Sequence, residues 1–142
     1  MEPQKTYTHD EAIAASLKYF NGDELAARVW VNKYAMKDSF GNIYEVSPED
    51  MHWRIANEIA RIENKYENPM SAQQIFELLD HFRYIIPAGS PMTGIGNNHQ
   101  IASLSNCFVI GLERDADSYG AITRTAEEQV QPLKRPGGVR HD

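Results

Sequence analysis

The sequence predicts an α/β chain, helical over its front two-thirds and changing to strand and helix near its end. Three observations carry this expectation. SPEDMHWRIANEIARI and SAQQIFELLDHF each join a helix-start signal to apolar residues at helical spacing. IIPAGSPMTGIGNNHQ then holds Pro, Gly, Ser and Asn too densely for regular structure. CFVIGL follows, a short apolar run with β-branched and aromatic residues that suits a buried strand.

Taken in order, residues 1–22 are polar and end in Asn21-Gly22, a turn signal. Asp23 is placed to cap a helix with Leu25, Val29 and Trp30 at apolar positions, ending near Lys37 before the turn DSFGN. Ser47 is placed to accept from the Asp50 amide, and Pro48 takes the first helical position, where its missing N–H costs nothing. Met51, Ile55, Ile59, Ile62 and Tyr66 draw one apolar stripe along that helix, and Asn68-Pro69 stops it. Ser71 and Gln74 form a capping box ahead of a buried face of Ile75, Leu78, Leu79 and Phe82. Beyond CFVIGL, DSYG turns the chain and AITRTAEEQV predicts a helix that Pro132 ends early. KRPGGVRHD is expected to be loop. The strand then has no ladder partner, so the chain is expected to be incomplete and to open one βα unit of a larger structure.

Composition narrows the function classes. The 142 residues are 42% hydrophobic and 24% charged, with a net charge of −6. The basic residues are scattered, which argues against a nucleic-acid backbone or an anionic membrane as main partner. No apolar stretch approaches the ~20 residues of a membrane span, and MEPQKTYTHDEA has no apolar core of a secretory signal. The single cysteine permits no intramolecular disulfide, and a reducing cytoplasmic setting is expected. The five histidines do not fall at ligand spacing, so no metal site is expected. Gly94 and Gly96 read as turn glycines rather than a dinucleotide fingerprint. Trp30, Trp53 and Tyr66 read as core, and Glu49, Glu58 and Glu127 as helix-face or first-turn acids.

GSPMTGIGNNHQIASLSNCFVIGL, followed by DSYG and KRPGGVRHD, resembles the large, catalytic subunit of ribonucleotide reductase, and within it the adenosylcobalamin-dependent (class II) type. NGDELAARVWVNKYAMKDSFGN and MHWRIANEIARIENKY are similar to that group's N-terminal helical region. The likeness runs from about Tyr19 onward and includes a Ser-Pro, a cysteine, an Asp-Ser and a Gly-Gly in the family's order and spacing.

The resemblance implies a helical N-terminal domain over 1–86. Over 87–142 it implies the start of a ten-stranded α/β barrel: substrate loop, first strand and effector-site helix. Cys107 would be the redox-active thiol that delivers reducing equivalents to the ribose 2′ position and ends in a disulfide with a cysteine on a later strand. Ser90, Asn106 and Gly138 would join Cys107 in binding the ribonucleotide. Asp117 and Ser118 would hold a deoxynucleotide effector. Further implied are adenosylcobalamin as cofactor, the C-terminal remainder of the reductase, a thioredoxin- or glutaredoxin-type reductant and a dimer, serving deoxyribonucleotide synthesis for DNA replication. Pro136 stands where the family carries a basic residue, and Arg140 where it carries a glycine. The chain alone is expected to be inactive, since one thiol closes no disulfide. Two rivals stand beside this reading: the large subunit of a class I enzyme with a metal-containing small subunit, and a non-catalytic remnant or helical interaction module.

Overall fold

A computed structural model of the chain describes residues 5–100, 102–105, 107–110, 118–133 and 138–141. Helix α1 (His9–Tyr19) forms where the pattern predicts only polar chain. Its cause is local. The Thr8 hydroxyl accepts from the Glu11 amide at 3.3 Å, and the Glu11 carboxylate accepts from the Thr8 amide at 2.8 Å, a complete capping box. The buried positions on α1 are Ala12 and Ser16, too small to draw an apolar stripe.

Asn21 and Gly22 then turn the chain at φ 53° and 92°, left-handed values that Asn and Gly tolerate best. Asp23 caps α2 (Glu24–Lys33), accepting from the Ala26 amide at 2.9 Å. The helix ends before Lys37, and its buried face is Ala27, Trp30 and Val31. Leu25 and Val29 face solvent, at 73% and 44% exposure. The pattern misplaces this face because Ala27 adds little apolar weight, yet it shares the inner side with Trp30 and Val31.

Helix α3 (Pro48–Glu63) begins at Ser47 as expected, but the serine hydroxyl makes no cap bond. The Asp50 carboxylate instead reaches back to accept from the Val46 amide at 2.8 Å. Met51 and Ile55 are fully buried, each worth about 1.5–3 kcal/mol of transfer from water. The Trp30 indole N–H donates to the Met51 sulfur at 3.4 Å, tying α2 to α3. The predicted stripe then runs off the core. Ile62 is at the surface, and Tyr66 is exposed beyond the helix, which ends before Asn68-Pro69.

Helix α4 (Ala72–Leu79) has the predicted box: Ser71 accepts from the Gln74 amide at 3.2 Å, and Gln74 accepts from the Ser71 amide at 2.9 Å. Ile75, Phe76 and Leu79 are buried, and Phe76 stacks on Trp53 with centroids 4.2 Å apart. Leu78 and Phe82 are half-buried. The core therefore lies between α1, α2, α3 and α4, with Met92 reaching it from beyond α4.

The chain beyond Tyr84 corrects several expectations. The Pro/Gly-rich stretch contains a short helix, α5 (Gly89–Gly94), because Pro91 sits in its first turn, where it costs no bond. CFVIGL supplies strand β1 (Cys107–Ile110), but Cys107 and Val109 are exposed rather than buried. The tail supplies β2 (Gly138–His141), parallel to β1. Helix α6 (Tyr119–Leu133) joins the two strands, giving a βαβ unit, so the strand does have a ladder partner. With two strands and one packed helix, part of the pair lacks cover, which explains the exposure. Helix α6 runs through Pro132 to Leu133 rather than ending ahead of it, with the proline one residue from the helix end. Arg140 occupies an extended strand position opposite Val109, so this position does not require a glycine. No helix among the described residues is long and apolar enough to cross a membrane.

Candidate functional site

The parallel register pairs Cys107 with Gly138, Phe108 with Val139, Val109 with Arg140 and Ile110 with His141. Two predicted site residues thus become neighbours, one strand spacing of about 4.8 Å apart. Cys107 carries an exposed thiol, and Gly138 brings no Cβ beside it. A group approaching the thiol can therefore also approach the backbone of β2 closely.

Ser118 stands at the start of α6, where its hydroxyl accepts from the Ala121 amide at 3.1 Å. It thus caps the start of α6. Asn106 and Asp117 lie outside the described residues. Ser90 is in a different element, α5, and is only 1% exposed. A ligand reaches its hydroxyl only by displacing what covers it.

What holds α5 in place was not legible from the sequence. Arg54, on α3, donates through Nε to Glu45 at 2.6 Å, through Nη2 to the Met92 carbonyl at 2.7 Å and through Nη1 to the Ile95 carbonyl. Glu45 also accepts from the Met36 amide at 2.8 Å. Both side chains are buried, at 9% and 3% exposure. Arg54 lies beside the apolar positions Met51 and Ile55, a charge on an apolar stripe, and that was the available signal. Glu45 sits in a connecting segment and gave none.

Gly96 lies against this pair at φ 72°, and a Cβ there would meet the Arg54 Cγ at 2.9 Å. Gly94 likewise leaves room for Ala102 and Leu104. The GIG glycines are thus close-approach and turn residues. Gly96→Ala is expected to destabilise the chain by about 1–3 kcal/mol, from left-handed strain plus overpacking, read as a lower urea midpoint. An unchanged midpoint would remove the contact from the account.

A second polar cluster, built around the buried His52, joins α1, α3 and the turn after α4. The Tyr19 hydroxyl donates to Asp80 at 2.9 Å and accepts from the His81 amide at 2.5 Å. Its remaining lone pair faces His52 Nδ1 at 3.3 Å, so the imidazole donates there and its Nε2 carries the bare lone pair. That Nε2 is buried without a hydrogen-bond partner. Burial outweighs the nearby Asp80 charge and lowers the His52 pKa to about 4, so the ring is neutral at pH 7. Burial and the bond to Asp80 raise the Tyr19 pKa. Burial pushes the Asp80 carboxyl upward, but bonds from His81 and Tyr19 bring it below its ordinary value. His81 and Phe82 both take left-handed angles, φ 54° and 53°, an uncommon pair for non-glycine residues. Among the described residues, no three His, Cys, Asp or Glu side chains cluster to hold a metal.

The helical body built on these two clusters matches a family model, the ribonucleotide reductase all-alpha domain, over residues 20–100. That is more than half of the chain. The chain belongs to this ribonucleotide reductase family. No match was found among curated proteins or solved structures. The ribonucleotide reductase match runs from the end of α1 to the segment after α5 and so includes Glu45, His52, Arg54 and Ser90. The strand pair with Cys107 and Gly138 lies beyond it. The family makes this chain part of an oxidoreductase of deoxyribonucleotide synthesis, with the rest of the reductase and its substrate as partners.

Proposed function

We propose that the chain supplies the helical N-terminal region and the first βαβ unit of the catalytic barrel of a class II ribonucleotide reductase. The observation that supports this best is the parallel register setting the exposed Cys107 opposite Gly138. It is the arrangement a reducing thiol needs beside a backbone that admits a nucleotide.

In the reaction proposed, the ribose 2′-hydroxyl leaves as water and a hydrogen takes its place, while two thiols become one disulfide. Cys107 is one of the two. The chain has no other cysteine, so the second thiol comes from further polypeptide. That polypeptide would also carry the radical-bearing residue. A thioredoxin- or glutaredoxin-type protein would then reduce the disulfide by exchange. Ser90 and Asn106 would contact the substrate, Gly138 would let it approach, and Asp117 with Ser118 would hold the deoxynucleotide effector.

Adenosylcobalamin would supply the radical when bound. The described residues do not fit it. The cleft lined by Glu58 through Leu104, about 450 Å³, is largely apolar with its Glu58 paired to Arg61, and in the cleft lined by Tyr7 through His99, about 670 Å³, the charged Glu45 and Arg54 are paired with each other. The cofactor's contacts would therefore belong to the rest of the reductase.

The test is reconstitution of the chain with the polypeptide that completes the reductase, assayed with ribonucleotide, dithiol and adenosylcobalamin. Turnover that falls about a thousandfold or more with Cys107→Ser is the expected result. Turnover by the chain alone, or full activity of the Cys107→Ser assembly, overturns the reading. Activity that needs a metal-containing small subunit in place of adenosylcobalamin moves the chain to class I.

A further inference from the structure

We propose that Arg54 is a positioning residue for the substrate loop, clamping α5 and with it Ser90. The inference rests on the reductase reading for what the loop does, but the clamp itself stands on geometry. A six-residue helix cannot hold its shape alone, since isolated helices need about 12–15 residues even in favourable sequences. Its carbonyl end must be satisfied from outside.

Each of those carbonyls has a named donor. The Ile95 amide serves Pro91, the Asn97 side-chain amide serves Thr93 and the Asn97 backbone amide serves Gly94. Arg54 serves the two that remain, Met92 and Ile95. It is the only donor among these that comes from the helical core. A guanidinium suits the task because its rigid fork spans two carbonyls and Glu45 at once, which an ammonium cannot do. The bare Cα of Gly96 lets the chain lie against the arginine stem. Met92, buried in the core, anchors the same helix through its side chain.

Two measurements on Arg54→Lys test this. In the chain by itself, amide exchange over residues 89–97 is expected to quicken about tenfold or more, with α1 and α2 within about twofold of the unaltered chain. In the assembled reductase, KM for the ribonucleotide is expected to rise about tenfold with kcat nearly kept, because a loosened loop must be ordered on binding. Exchange over 89–97 that is unchanged, or that quickens only in step with the whole chain, overturns the clamp. A fall in kcat at constant KM overturns the positioning role. If Arg54→Lys does not fold, the pair Arg54→Met with Glu45→Gln removes both charges and is read the same way. An unaltered assembly that reduces no ribonucleotide sinks the reductase reading, and the exchange result then judges the clamp separately.

Discussion

Glu45→Ala is expected to lower the unfolding free energy by about 3–5 kcal/mol, the usual consequence of removing one partner of a buried ion pair. The carboxylate is 3% exposed and does two things. It accepts from Arg54 Nε at 2.6 Å and from the Met36 amide at 2.8 Å. Its removal leaves a buried guanidinium held only by two carbonyls, and a backbone N–H with no acceptor. Glu45→Gln keeps an acceptor for one of these donors and is expected to lose less. Urea unfolding of the three chains gives the order directly. If alanine and glutamine were equally mild, the pair would be incidental to stability.

The second large effect is on acid stability. In the unfolded chain His52 takes its proton near 6.5, while the folded chain resists protonation until about pH 4. The stability this residue lends is present in full above pH 6.5 and drains away as the pH falls toward 4. That separation corresponds to about 3 kcal/mol. The structural reason is that a second proton would go on Nε2, which is buried and has no acceptor to receive it. Asp80 acts in a lower window. Its folded pKa lies below the ordinary 3.8, so its contribution persists above that value and is lost only as the pH falls further. Urea midpoints measured from pH 7.5 to 3.5 should therefore decline through the range 6.5 to 4, and His52→Gln should flatten that decline. A His52→Gln chain with the same slope would place the acid sensitivity elsewhere.

Much of the helical body was legible because its signals are local. The Asn21-Gly22 turn, the Asp23 cap, Pro48 at the start of α3 and the Ser71–Gln74 box each involve residues within one turn of each other. The Thr8–Glu11 box is equally local, but the buried residues of α1, Ala12 and Ser16, are too small to draw an apolar stripe behind it. Errors grew where a choice depended on neighbours distant in sequence. Val29 and Trp30 look alike in an apolar pattern, but Trp30 is buried and bonded to Met51 while Val29 is exposed.

The sequence by itself determined the sites of most helices, the short strand at Cys107 and, through its motifs, the family expectation that the match over residues 20–100 supports. These follow from residue type and short spacing, which the chain carries wherever it is read. The tertiary structure alone decided that the tail returns as β2, that Cys107 meets Gly138 and that Arg54 with Glu45 holds the Ser90 helix. Each of these joins groups far apart in the chain, and a parallel strand pair or a buried ion pair leaves no short-range pattern. Their partners are selected by burial and by unsatisfied backbone groups, which exist only once the chain has folded.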